Sequence, residues 1–189
     1  SDIGTGIDQI SVTENENTSV TATGVYARAS GDFVGLDTLT LDTVDYSGLL
    51  ANATVSINNV DAGVTVTSIT GTTLTLSGPV TVVDNSVISF GFGDTTSVST
   101  KRLVVSSDAS VNAGILINGI SGVATANAIA AVDTTMNTIE LEQAATVVSD
   151  AEVTLTAFLL QRDGQVLEAG SDYCFQYNTN TNQVVFAAA

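Results

Sequence analysis

The sequence predicts an all-β fold: small β-sandwich or barrel domains in tandem, followed by a C-terminal β-meander. Three observations carry that expectation. Residues 64–90, VTVTSITGTTLTLSGPVTVVDNSVISF, alternate Thr and Ser with Val, Leu and Ile, and a period of two places one residue type on each face of a strand. β-Branched side chains suit that pleated surface. The same pattern then recurs. Leu74, Leu76, Val82, Ile88 and Phe90 lie over Ile139, Leu141, Val147, Val153 and Leu155 at a constant spacing of 65 residues, and repeats with regular turn spacing favour small β units in series. Finally, helix signals are scarce. Ala124 to Val132 has the alanines for about two turns, but its counterpart in the first copy is the alternating GVTVTSI, so strand is expected there as well.

Taken in order, residues 1–35 read as an N-terminal arm or linker. Short strand-like pieces, Ile10 to Val12 and Ser19 to Val25, flank the polar run Glu14 to Thr18, and such segments often order only against a partner. Residues 36–98 form the first β domain, with strands expected in LDTLTL, ATVSINNV, VTVTSI, TTLTLSGPVTVV and SVISFGF. Pro79 cannot donate to a ladder, so a turn or bulge belongs at SGPV. Residues 99–158 repeat that domain. Thr81 falls on Thr146, the turn Asp84-Asn85-Ser86 falls on Ser149-Asp150-Ala151, and VSINNV from Val55 lies over ILINGI from Ile115. The inward set in each copy is the apolar series named above, because a one-residue slip would turn it to solvent. Residues 159–189 form the C-terminal meander: Arg162-Asp163-Gly164-Gln165 is a tight hairpin sequence, and Asn178 to Asn182 makes a second polar turn between DYCFQY and QVVF. Phe158, Tyr173, Phe175, Tyr177 and Phe186 gather there, and cross-strand pairs of this type contribute about 0.2–1 kcal/mol each.

Composition narrows the chemistry. The 189 residues are 44% apolar, enough for a real core, and carry a net charge of −16 with only four basic residues, Arg28, Lys101, Arg102 and Arg162. That balance argues against nucleic acid and anionic membranes, both of which recruit clustered Lys and Arg. There is no histidine, which removes imidazole metal sites and His-activated nucleophiles. Cys174 is the one cysteine, so no intrachain disulfide forms, and a small apolar strand residue is its expected role. No apolar run is long enough to span a membrane as a helix. The opening SDIGTGIDQI lacks both an initiator Met and a signal-peptide pattern.

The carboxylates invite two functional readings. Asp84 with Asn85, and Asp150 with Glu152, are candidate calcium turns, yet no segment matches a D-x-D-x-D-G loop ending in glutamate, and solvated turns explain them better. A glycosidase needs two carboxylates about 5–9.5 Å apart, in clefts that usually present aromatic platforms, and this chain has no tryptophan. The sequons Asn17-Thr18-Ser19 and Asn52-Ala53-Thr54 are expected by chance in a chain so rich in Asn and Thr. No catalytic, cofactor-binding or metal residue is assigned, and no cofactor is expected.

Two stretches carry a resemblance. VTSITGTTLTLSGPVTVVDNSVISF resembles short repeats common in bacteriophage virion proteins, including tail fibres, baseplate and decoration proteins. DGQVLEAGSDYCFQYNTNTNQVVF resembles a tail-fibre hairpin module, with a DG turn, a G-x-DY element and an aromatic-ended strand. The departure is the absence of a triple-helical shaft or receptor-tip motif. The resemblance implies a non-enzymatic virion component that works by assembly with other virion subunits and as a homo-oligomer, a trimer by the fibre likeness. The alternatives are a secreted bacterial or archaeal adhesin or self-assembling surface filament subunit at the cell surface and, behind it, a polysaccharide-degrading enzyme.

Overall fold

Leu74, Leu76, Val82, Ile88 and Phe90 all face the core, as do Ile139, Leu141, Val147 and Val153 at the repeat spacing; the side chain of Leu155 lies outside the described residues. In this computed structural model the backbone is described for residues 10–47, 50–95, 97–106, 116–118, 127–162, 165–166, 173–178 and 183–188, and side chains for 19–46, 50–95, 97–106 and 129–153.

The fold is all-β, with no helix among the described residues. Its strands are β1 (Ile10–Arg28), β2 (Phe33–Thr40), β3 (Tyr46–Ser47), β4 (Thr54–Ile57), β5 (Val60–Thr70), β6 (Thr73–Val82), β7 (Val87–Phe90), β8 (Ser97–Val105), β9 (Leu116–Asn118), β10 (Asn127–Asp133), β11 (Thr138–Val148), β12 (Glu152–Arg162), β13 (Gln165–Val166), β14 (Tyr173–Asn178) and β15 (Gln183–Ala188). Thirteen of them form one hydrogen-bonded sheet, and β14 and β15 pair with each other. Of the stretch Ala124 to Val132, residues 127–132 lie in strand β10, as expected, and residues 124–126 lie outside the described residues.

Within that sheet the antiparallel pairings close twice. Followed strand to strand, β2, β6, β5, β4, β7 and β1 return to β2 through the Ala29–Leu41 bridge. In the same order β8, β11, β10, β9, β12 and β1 return to β8. The first circuit closes through that isolated bridge alone, and the buried apolar side chains of both circuits form one core cluster.

The correspondence extends to individual hydrogen bonds. The Ala29 amide donates to Ser86 O at 2.9 Å, and the Ala22 amide to Ala151 O at 2.9 Å; Asn85 N donates back to Ala29 O at 2.9 Å, and Asp150 N to Ala22 O at 3.0 Å. Asn85 and Asp150 both adopt left-handed backbone, φ 64° and 61°, which Asn and Asp tolerate better than other side chains. Each circuit also carries the same bulge. β6 runs from Thr75 to Val80 while β2 moves only from Thr38 to Leu36, and β11 runs from Glu140 to Ala145 while β8 moves only from Arg102 to Thr100. Pro79 sits inside the first bulge, where its missing N–H breaks no ladder bond.

Residues 10–28, read from their polar run as part of an arm, form the longest strand, β1. Its N-terminal part pairs with β12, from Ile10 opposite Arg162 to Thr21 opposite Glu152. Its C-terminal part pairs with β7 through Val25, Ala27 and Arg28, and on the other side with β8 through Ala22, Gly24 and Val25. One strand therefore serves both circuits. Gly24 to Ala27 are all buried, and the small residues Ala22, Gly24, Ala27 and Ala29 let neighbouring strands approach on both sides. After β12 come two antiparallel pairings, β12 with β13 and β14 with β15, with Phe175 opposite Phe186 and Cys174 opposite Ala187; the expected turns at 163–164 and 179–182 lie outside the described residues.

Candidate functional site

Three of the four basic residues, Arg28, Lys101 and Arg102, stand where the two circuits meet. Arg102 lies on β8 of the second circuit, and Asp42 follows β2 of the first. Arg102 Nη1 donates to Asp42 Oδ1 at 3.0 Å and Nη2 to Oδ2 at 3.0 Å, the paired fork geometry that guanidinium and carboxylate favour. Asp42 Oδ1 also accepts the amides of Arg28, at 2.9 Å, and Thr43, at 2.7 Å. The guanidinium carbon lies 5.4 Å from the Tyr26 ring centroid, a cation–π distance. Beside it, Lys101 N donates to Asp45 Oδ2 at 3.3 Å, and β3 pairs with β8, Tyr46 opposite Thr100. The Tyr46 ring meets Phe90 edge-on at 6.1 Å, while its buried hydroxyl has no hydrogen-bond partner among the described residues.

Electrostatics follow from this packing. Burial pushes the Asp42 carboxyl up, but the Arg102 hydrogen bonds and the two amides outweigh it and hold the group below the usual carboxylate range. Burial likewise lowers the Arg102 value, and Asp42 more than reverses the effect. Burial, then Glu140, pushes Tyr26 up to about 12 against the opposing pull of Arg102 and Arg28, and burial raises Tyr46 further. Both phenols are neutral at ordinary pH. With its oxygens saturated by four donors, Asp42 is a structural anion rather than a base, and what the cluster does chemically is tie one circuit to the other.

Asp42→Asn leaves the partly exposed Arg102 without its anion and is expected to cost about 1–2 kcal/mol at neutral pH. Because the folded Asp42 carboxyl titrates below its unfolded value of about 3.9, its contribution is complete above about pH 4 and is lost as pH falls through the folded value. Denaturation midpoints of wild type and Asp42→Asn should therefore converge in acid. Midpoints that stay equally far apart at every pH would show that Asp42 ionisation is not the cause.

The carboxylates singled out as calcium turns are used by the fold. Asp84 Oδ1 accepts the Gly31 amide at 2.7 Å, Asp32 Oδ1 accepts the Asp84 amide at 2.7 Å, and Asp150 Oδ2 accepts the Ser149 hydroxyl at 3.3 Å. Glu152 is exposed at the start of β12. Among the described residues no three metal-ligating side chains gather. Asn52 Nδ2 donates to Asp94 Oδ2; the side chain of Asn17 lies outside the described residues. Two open clefts border the junction. One, of about 370 Å³, is lined by Tyr26, Arg28, Asp133, Thr134, Thr138 and Glu140 among others. The other, of about 440 Å³, lies between Val44, Tyr46, Ile69, Gly71 and Thr72. The Arg102–Asp42–Tyr26 cluster was not assigned from sequence, although the scarcity of basic residues was a usable signal: a lone Lys-Arg pair in an acidic chain needs carboxylate partners.

No protein-family model, curated protein or solved structure matches the chain.

Proposed function

We propose that the chain is a non-enzymatic structural component of a bacteriophage virion, a tail-fibre, baseplate or capsid-decoration subunit that acts by packing against other virion subunits. The observation that supports this reading is β1. A single strand of 19 residues is shared by both circuits, so the repeats are joined by continuous ladder hydrogen bonds and by the Arg102–Asp42 pair. That construction suits a part whose task is to hold position under load, and the Thr-rich repeats and fibre-like C-terminal module point the same way. The acidic surface keeps free subunits soluble before assembly.

The test is immunogold labelling and mass spectrometry of purified particles from a host carrying the gene. Regularly placed label on the particle, with capsid and tail genes beside the coding sequence, is the expected result. Protein found on the host cell surface and missing from particles would replace this reading with an adhesin or filament subunit. Glycan turnover abolished by one carboxylate substitution would replace both with an enzyme.

A further inference from the structure

The register of β1 against β12 decides how the second circuit responds to force. Ile10 lies opposite Arg162 and Thr21 opposite Glu152, so the chain enters β1 and leaves β12 at the same end of one antiparallel ladder. In such a ladder the hydrogen bonds run perpendicular to the strands. Drawing residue 10 away from residue 162 therefore pulls along the bonds and places the load on the outermost pair, which parts before the next is loaded. Drawing residue 10 away from residue 152, at the other end of the ladder, pulls along the strands and loads the bonds together.

What holds the ladder changes along its length. Residues 157–162 of β12 have β1 on one side, and on the other only β13 lies alongside among the described residues, opposite Gln161 and Arg162. A bulge interrupts the same stretch: Glu14 lies opposite Phe158 and Glu16 opposite Ala157, with Asn15 passed over. From Thr156 back to Thr154, β12 also pairs with β9. At Thr21 the hold on β1 doubles. Thr21 N donates to Ser106 Oγ at 2.8 Å, and Thr21 O accepts the Ser106 amide at 2.8 Å. Val20 and Ala22 are buried, and Val25 lies opposite Phe90 on one side and Leu103 on the other.

We propose that residues 10–16 are a strap: tension between the entry to β1 and the exit from β12 peels them from residues 157–162 and opens the second circuit, while the first circuit and the Arg102–Asp42 junction stay folded. A backbone hydrogen bond is weak alone, because water replaces it, so bonds parted in succession yield to a load that the same bonds withstand together. The peel pauses at Thr156, where β9 holds β12 from the other side, and halts at Thr21, where β1 gains its second set of partners. Opening leaves two matched strand edges with unpaired donors and acceptors, and they pair again when the load is removed. The strap rests on the structural reading above and adds a direction to it. Neighbours that grip the molecule across the junction of the circuits pull on a strand held from both sides, whereas neighbours that pull from the two chain exits of the β1–β12 ladder open it.

Single-molecule stretching of the full chain tests it. Handles are attached through Ser11→Cys and Arg162→Cys for the peeling direction, and through Ser11→Cys and Glu152→Cys for the lengthwise one, both with Cys174→Ser to remove the native thiol. In the peeling direction the first step is expected at a force several times lower than any step in the other. Freeing residues 11–16 and 157–162 should lengthen the chain by about 40 Å, at about 3.3–3.6 Å per residue, and relaxation should restore the original length. Amide exchange of the unsubstituted chain gives a second reading: residues 10–16 and 157–162 should exchange together, and faster than Val25 to Ala27. Equal opening forces in the two directions, a first step that takes in the whole molecule, or strap amides as slow as those of Val25 to Ala27 would overturn the inference. A chain found on particles whose ladder resists equally in both directions would lose the strap and keep the virion reading, whereas a strap that peels in a chain missing from particles would do the reverse.

Discussion

Gly24→Ala should remove at least about 3 kcal/mol of stability, the upper end of what overpacking costs and a large part of the ~5–15 kcal/mol that holds a typical domain folded. A Cβ at residue 24 would collide with the Phe90 carbonyl oxygen. That oxygen belongs to the backbone of β7, which is held on both sides, Phe90 lying opposite Val25 and Val55, so the neighbour has nowhere to go. Gly24 is also where β1 passes from β12 to β7 while pairing with Val104 of β8, and the substitution strikes both circuits at once. Gly78→Ala is the control. Its added carbon would meet only Val64 Cγ1, at 3.4 Å, and a change of less than about 1 kcal/mol is expected. Urea denaturation of the two variants decides the matter; equal midpoints would sink the close-approach account of Gly24.

Phe90→Ala carries the second large effect, about 3–5 kcal/mol, from lost transfer free energy and the cavity left behind. The side chain is 1% exposed, packs in the core cluster and gives Tyr46 its aromatic neighbour at 6.1 Å. The substitution lies in the first circuit, yet it should also speed amide exchange in the second. Loosening β7 frees the C-terminal part of β1, and Tyr46 belongs to the strand that covers β8. Residues such as Val147 and Val153 report on the second circuit. Exchange that accelerates around Phe90 while theirs is untouched would mean that the circuits open independently despite the strand they share.

Much of this core was readable because β structure writes its burial into alternate residues. Leu74, Leu76 and Val82 face inward on the period-two rule alone, and the repeat spacing carried the same assignment to Ile139, Leu141 and Val147. Pro79 announced its bulge by lacking a donor. Nothing comparable marks β1. Glu14 to Thr18 breaks the apolar alternation, and what makes the segment a strand is its set of partners on β12, β8 and β7, which are distant in sequence and invisible to any local pattern. β3 is too short, at two residues, for a periodic signal. The Arg102–Asp42 pair was hidden for another reason: a salt bridge has no period, and its register follows only once the two circuits are known to meet at β1.

The shared strand also sets an order in time. During synthesis, N-terminal to C-terminal, residues 10–21 emerge ahead of the rest of the first circuit, but their partner β12 is made only after that circuit is complete. Phe90 meets Val25 early, while Ile10 must wait for Arg162. A nascent chain that has finished one circuit therefore trails half a strand with its main-chain donors and acceptors unmatched. Such long waits slow folding and expose strand edges to wrong partners. The residues held open in that interval include Glu14, Asn15, Glu16 and Asn17, whose negative charge and poor β preference discourage a premature match with another nascent chain. The polar run that looks least like a strand is thus placed where a sticky sequence would do most harm.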